Sequence, residues 1–297
     1  MMITNFIRGL KKLKYFSRYC VKYSAMDTNI MKLDGHGDDV VIAAPVAAAA
    51  AQPTKLKTED TGKIFEKAIC DAYSIPYDGP FQYSQAEVDK LTPRLKRLVT
   101  DNLFPMCVHT ASKGARYDFT AVAEFGLHLS AKSNKKKGGK VAPQVVGQAT
   151  PQKFWDECVQ FTNCSNENGV PDPATLKKYI QENIAAILPM LWRYTFDSPI
   201  VYYVRDTDQI RFIAPAAAAA AVSTGGPDWS AFQYSWSRSY DKWTNSTSLR
   251  VVAPGSGKEE TILEFQFHTK SRQNMAVRWA IDKVLQVFAG HFKVTEL

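Results

Sequence analysis

Across Tyr117-Asp118-Phe119-Thr120-Ala121-Val122-Ala123-Glu124-Phe125-Gly126-Leu127-His128-Leu129-Ser130-Ala131-Lys132-Ser133-Asn134, an acidic residue opens one apolar run and a lysine ends the next. The break near Phe125-Gly126 predicts two joined strands, over 119–125 and 127–132. On the second, alternation sets His128, Ser130 and Lys132 on one face and Leu127, Leu129 and Ala131 on the other. An aspartate and a lysine converging at a strand end suit Mg²⁺-assisted phosphodiester hydrolysis. The carboxylate holds a hard cation, while the ammonium orients or activates water and offsets phosphate charge. A hairpin with a solvated polar face would show the same spacing.

Three neighbouring features favour the chemical reading. Lys135, Lys136, Lys137 and Lys140 surround Gly138-Gly139, a flexible cationic loop where a phosphate backbone would pass. Glu66 lies on the preceding helix and offers a second carboxylate. After the loop, Gln144 and Gln148 carry amides able to hydrogen-bond phosphate or adenine.

The segment Gly62-Lys63-Ile64-Phe65-Glu66-Lys67-Ala68, then Asp118, then Leu129-Ser130-Ala131-Lys132-Ser133-Asn134, resembles type II restriction endonucleases of the PD-(D/E)XK superfamily. The closer likeness is to the branch in which the usual E-x-K element has become S-x-K. Leu263-Glu264-Phe265-Gln266-Phe267-His268 and residues 272–278 also resemble late segments of such enzymes, so the likeness spans roughly residues 60–290. The resemblance implies a mixed central sheet flanked by helices, Mg²⁺-dependent cleavage of double-stranded DNA, and a cognate methyltransferase that protects host sites; it leaves a homodimer open. It makes Asp118 the principal metal ligand, Ala131 a backbone-carbonyl ligand, Lys132 the catalytic lysine and Glu66 the helix-borne carboxylate. Ser130 then stands where the acidic residue usually does. A neutral hydroxyl is a poor substitute around a dication, so Glu66 rather than Glu124 is expected to supply the missing charge.

Recognition residues are sought further along the chain. Residues 228–246 interleave aromatics with polar and basic groups, and Arg238, Lys242 and Asn245 are expected to touch DNA while Trp229, Trp236 and Trp243 pack in the core. Gln266 and His268 alternate with apolar neighbours, and Arg272 follows; all three are candidate contacts to bases or phosphate. His36, His109 and His291 stand isolated, and no His/Cys cluster has zinc spacing. Walker A, dinucleotide and G-x-S-x-G signatures are absent.

The elements that must position these groups follow from periodicity and punctuation. Helices are predicted over 60–73, from the Ser84-Gln85-Ala86-Glu87 capping box, over 172–189 and over 274–288. Further strands are expected over 200–205, 209–213, 248–252 and 261–268. The fold class is α/β (α+β), a mixed sheet flanked by helices, with 59–297 as the catalytic and DNA-binding domain and 1–58 as a separate leader. That leader joins a basic amphipathic helix, carrying Arg8, Lys11, Lys12, Lys14, Arg18 and Lys22, to an Ala/Pro linker at 41–53, and residues 1–53 are expected to be dispensable for cutting. The Ala tract over 214–221 reads as a surface insertion.

With 37 Lys+Arg against 29 Asp+Glu, the net charge of +8 favours a polyanionic partner. A hydrophobic share of 45% with 22% charged residues excludes a disordered chain, and no apolar run is long enough to span a bilayer. Five cysteines without a C-x-x-C pair suit a reduced, intracellular and cytoplasmic protein, although the basic leader leaves organelle targeting open. Two rival functions keep the same features: a repair or structure-specific nuclease, and a DNA-binding protein that does not cut.

Overall fold

The computed structural model describes residues 58–111, 115–124, 126–162, 169–216, 226–252, 257–268 and 274–297. The basic leader, the Ala/Pro linker, most of the second Ala tract and Arg272 lie outside the described residues.

Helix α1 (Thr58–Ala72) forms where Ile64, Phe65, Ala68, Ile69 and Ala72 recur at helical spacing, and all five are buried. Helix α2 (Gln85–Leu95) begins where Ser84 Oγ accepts from the Glu87 amide at 3.3 Å, and a short α3 (Arg97–Thr100) follows. A six-stranded sheet then runs in the order β1 (Cys107–His109), β2 (Phe119–Ala121), β3 (His128–Asn134), β5 (Ile200–Val204), β6 (Gln209–Pro215), β11 (Phe292–Glu296). Its neighbours are antiparallel except β3 and β5, which pair in parallel with Ser130 opposite Ile200 and Lys132 opposite Tyr202.

A parallel pair requires a crossover. Here it contains β4 (Lys140–Val141), α4 (Pro151–Thr162), α5 (Pro173–Glu182) and α6 (Ile184–Phe196). A second, wholly antiparallel sheet has the order β4, β10 (Asn274–Ala280), β9 (Glu259–His268), β8 (Ser246–Val252), β7 (Gln233–Trp236), with α7 (Ile281–Val287) after β10.

Two hydrophobic cores result. One packs α1 and α2 on the first sheet through Phe65, Ile69, Leu91, Leu95, Phe119, Leu129, Val201 and Tyr203. The other fills the space between the sheets and α4–α6 with Tyr202, Ile213, Leu191, Trp192, Leu249, Phe265, Val277 and Trp279. The mixed α/β class expected from sequence is the one observed. Among the described residues no helix is long and apolar enough to cross a membrane.

Four expected elements differ from the observed ones. Residues 274–288 are strand β10 followed by α7, because Met275, Val277 and Trp279 alternate into the core while Ile281 and Val284 follow helical spacing. The single helix expected over 172–189 is α5 and α6, separated at Asn183, whose side-chain amide donates to the Tyr179 carbonyl at 3.0 Å and ends α5. Strand β2 stops at Ala121, where the chain turns; Leu127 donates to the Glu124 carbonyl at 3.2 Å. The start of the second Ala tract is structured, since Ala214 and Pro215 extend β6 and pair with Lys293 and Phe292 of β11.

Candidate active site

Asp118 stands immediately before β2, and the β2–β3 register of Phe119 with Leu129 brings it beside Ser130 and Ala131. Its Oδ2 accepts from the Ala131 amide at 2.8 Å, and Lys132 Nζ lies 3.8 Å from the same oxygen. Burial pushes the Asp118 carboxyl above its ordinary range, and the charge of Glu66 adds to this. Lys132, the Ala131 amide and Lys63 pull the other way without overcoming it. A carboxylate held reluctantly charged is primed for a cation.

Glu66 projects from α1. Lys63, one turn earlier, binds its Oε2 at 2.9 Å, and His109 Nε2 of β1 lies 3.7 Å from that oxygen. Burial disfavours the Glu66 carboxylate, but His109 and Lys63 outweigh it and hold the group below the usual range. The Glu66 carboxylate, kept charged by His109 and Lys63, helps to disfavour the charged form of Asp118. Glu124, by contrast, is exposed on the turn after β2.

Ser130 is 1% exposed and its hydroxyl accepts from the Gln144 side-chain amide. Gln144 Oε1 accepts from Arg116 Nε at 3.2 Å; Arg116 in turn donates to the Arg193 carbonyl at 2.8 Å and Asp197 Oδ2 at 2.7 Å. Tyr117 OH donates to that same oxygen at 2.7 Å, and the guanidinium sits 4.9 Å from the Tyr117 ring and 4.7 Å from the Tyr194 ring. A brace therefore runs from Ser130 through Gln144 and Arg116 to the residue preceding Asp118 and to the end of α6. Gln144→Ala should lower stability by about 1–2 kcal/mol, because it removes the partner of a buried hydroxyl and frees the Arg116 fork. Urea unfolding checks this, and an unchanged midpoint would dissolve the brace.

The donor chemistry suits a hard cation. Asp118, Glu66 and the Ala131 carbonyl would offer oxygen donors, and Mg²⁺ is commonly held by one or two carboxylates with water and phosphate completing the shell. Among the described residues no group of three or more His, Cys, Asp or Glu is arranged to hold a metal. Two carboxylates are what this site offers.

The basic and amide residues expected to touch DNA fall into several places. In the lysine loop Lys136 and Lys137 are exposed, while the backbone is pinned by Asp206, which accepts from the Lys137 amide at 3.0 Å, and by Asp282, which accepts from Gly138 at 3.1 Å. Lys135 belongs to the same loop, its carbonyl accepting from Asp206 N at 3.1 Å. Lys140 pairs with Glu264 Oε2 at 2.9 Å on the second sheet, where Arg278 donates to Gln266 Oε1. Gln148 and His268 are exposed. Arg238 donates to the Ser246 carbonyl at 3.1 Å, and Lys242 and Asn245 are exposed beside it. Trp229 and Trp243 are buried, 6% and 1% exposed, as expected of core residues; Trp236 stacks on Trp243 with ring centres 6.4 Å apart.

His109 is not isolated, as its lone position in the sequence suggested. Its Nδ1 accepts from the Asp78 amide at 3.2 Å, and its ring packs 4.9 Å from Tyr77 and 5.2 Å from Phe119. Tyr77, Asp78, Val108 and His109, with Ile75 and Pro76, line a cleft at this edge of the sheet. The sequence carries no local signal for the pairing, because Glu66 and His109 stand on separate elements.

No protein-family model and no solved structure matches the chain. Across 242 residues it is 36% identical to the type II restriction enzyme CviAII of Paramecium bursaria Chlorella virus 1. That match takes in 82% of this chain and 64% of the viral enzyme, so the chain spans just under two thirds of its relative's length.

Proposed function

We propose that the protein is a sequence-specific endonuclease of double-stranded DNA, working with Mg²⁺ in the manner of type II restriction enzymes. One observation carries the reading: Lys132 and Asp118 meet at 3.8 Å at the end of the β2–β3 pair, in a chain 36% identical to such an enzyme. In this reading Asp118, Glu66 and the Ala131 carbonyl hold the cation, which supplies Lewis acidity at the scissile phosphate. Lys132 orients the attacking water and offsets charge gathering on the phosphoryl oxygens. Ser130 holds Gln144 and leaves the second carboxylate role to Glu66. That is the S-x-K form of the PD-(D/E)XK arrangement. Lys135, Lys136, Lys137 and Lys140 lie along the phosphate path, and Gln148, Arg238, Lys242, Asn245, Gln266, His268 and Arg272 serve as contacts to duplex DNA. The same reading brings a cognate methyltransferase as functional partner and leaves a homodimer as a natural assembly on a duplex. Cys70 and Cys107 are buried free thiols, pushed up to about 12 by burial, in keeping with a reducing compartment.

Incubation with unmethylated phage DNA and Mg²⁺ should give discrete bands. Cutting only at junctions or lesions would move the assignment to repair, and retention without cutting would make the protein a binder. Lys132→Ala should slow cleavage by roughly 10²–10³-fold, the usual cost of one positioned charge in a transition state. Near-normal rates in that variant would remove Lys132 from the chemistry.

A further inference from the structure

His109 has two nitrogens and two different neighbours. Nδ1 accepts from the Asp78 backbone amide at 3.2 Å, so the ring proton resides on Nε2. Nε2 is buried, has no hydrogen-bond partner, and lies 3.7 Å from Glu66 Oε2. The side chain is 2% exposed and packs between the Tyr77 and Phe119 rings. A buried donor with nothing to donate to is costly and demands an account.

The same Oε2 already takes Lys63 at 2.9 Å, whereas Glu66 Oε1 has no hydrogen-bond or ion-pair partner among the described residues. Both cationic or donating groups thus sit on one oxygen, and the other is left over. We propose that His109 is a positioning residue for Glu66: its Nε2–H, together with Lys63, fixes Oε2 and turns Oε1 toward the cation shared with Asp118. A small rotation of the carboxylate closes the 3.7 Å separation to a hydrogen bond. Asp78 is the outer support, because its amide sets the tautomer. This inference rests on the nuclease reading above for the identity of the cation, but not for the His109–Glu66 coupling itself.

Two substitutions separate a positioning role from a merely structural one. In His109→Gln the amide nitrogen falls where Nε2 was and can still donate to Glu66, while the acceptor for Asp78 is lost. In His109→Asn the amide oxygen falls where Nδ1 was and keeps the Asp78 contact, while the donor to Glu66 is lost. Mg²⁺ affinity is read by titration calorimetry on the full chain without DNA, beside cleavage rate as a function of Mg²⁺.

His109→Asn should bind Mg²⁺ about tenfold or more weakly, the usual cost of removing a group that orients a metal ligand, with cleavage largely restored at saturating Mg²⁺. His109→Gln should stay within about threefold of wild type. In a Glu66→Gln background, His109→Asn should have no further effect on Mg²⁺ affinity. The proposal is overturned if His109→Asn binds Mg²⁺ normally, if His109→Gln is the more defective of the two, or if the Glu66 and His109 losses add. Should His109→Asn fail to fold, His109→Gln decides alone: normal affinity supports the proposal and a tenfold loss overturns it. A wild-type protein that binds Mg²⁺ yet cuts no duplex sinks the nuclease reading and leaves these affinity comparisons intact.

Discussion

Asp118→Asn should abolish cleavage and, without metal, should melt at a higher temperature than the wild type. The loss of activity follows from charge. A cation's stabilisation of the transition state is worth on the order of 4 kcal/mol, or roughly a thousandfold in rate, and an amide cannot hold it. The gain in stability follows from burial. Because burial raises the Asp118 pKa, the folded state binds that proton more tightly than the unfolded chain does. An ionised Asp118 therefore costs stability above its raised folded pKa, and the cost disappears as pH falls below the unfolded value. The amide keeps an acceptor for the Ala131 N–H and has no charge to desolvate, although it forfeits the attraction of Lys132. For a chain of this size each kcal/mol relieved is worth about 2–4 °C. Scanning calorimetry should show the gap between variant and wild type at pH 8 narrowing toward pH 4. Binding to duplex DNA in Ca²⁺ should persist. A variant that cuts normally removes Asp118 from the site, and a folded variant that melts lower overturns the desolvation argument.

The largest structural effect is expected at Trp279. It is 0% exposed, pairs across β10 with Val141 of β4, and meets Trp192 at 6.1 Å, Phe196 at 5.7 Å and Trp229 at 6.5 Å between ring centres. Its Nε1 donates to Thr195 Oγ1 at 2.9 Å, fastening α6 to the second sheet. Trp279→Ala should cost about 3–5 kcal/mol, from lost transfer energy and the cavity left behind. Against a total of about 5–15 kcal/mol that is roughly a fifth of the stability or more. Trp279→Phe keeps a six-membered ring but loses the pyrrole portion with its donor, so its loss should be smaller, about 1–3 kcal/mol. Urea unfolding with an unchanged slope and a lowered midpoint checks both, and equal losses in the two variants would mean that the hydrogen bond, not the ring, does the fastening.

Legibility of this molecule in its sequence tracks the distance over which a signal must act. Helix α1 and strands β3, β5 and β6 are readable because one-face periodicity is local. The Asp118–Lys132 pair is readable for the same reason: a short hairpin carries one to the other. Residues 274–288 mislead because β10 passes directly into α7 with no Gly or Pro to mark the change of period, and the apolar residues fit a single helix about as well. Asn183 was the only mark of the α5–α6 break, and a lone Asn is weak punctuation. Gln144 presents an amide that sequence reading turns toward a ligand, whereas the fold spends it on Ser130 and Arg116. His109 meets Glu66 only because α1 packs on β3 of the sheet whose edge is β1, a tertiary fact with no local trace.

The parallel pairing of β3 with β5 sets the order in which the molecule comes into being. Asp118, Ser130 and Lys132 leave the ribosome early, but the strand that flanks β3 on its far side begins only at Ile200, after the crossover helices. At about 5–20 residues per second the wait between Asn134 and Ile200 is roughly 3–13 s. During that interval the hairpin has no sheet beyond β1 and no second core, and so small a unit is marginal by itself. Arg116 likewise lacks its anchors at Arg193 and Asp197 until α6 has emerged. A nascent chain therefore carries Asp118, Ser130 and Lys132 without their final geometry. Under the proposed function, competence to cut arrives only when synthesis has passed β5.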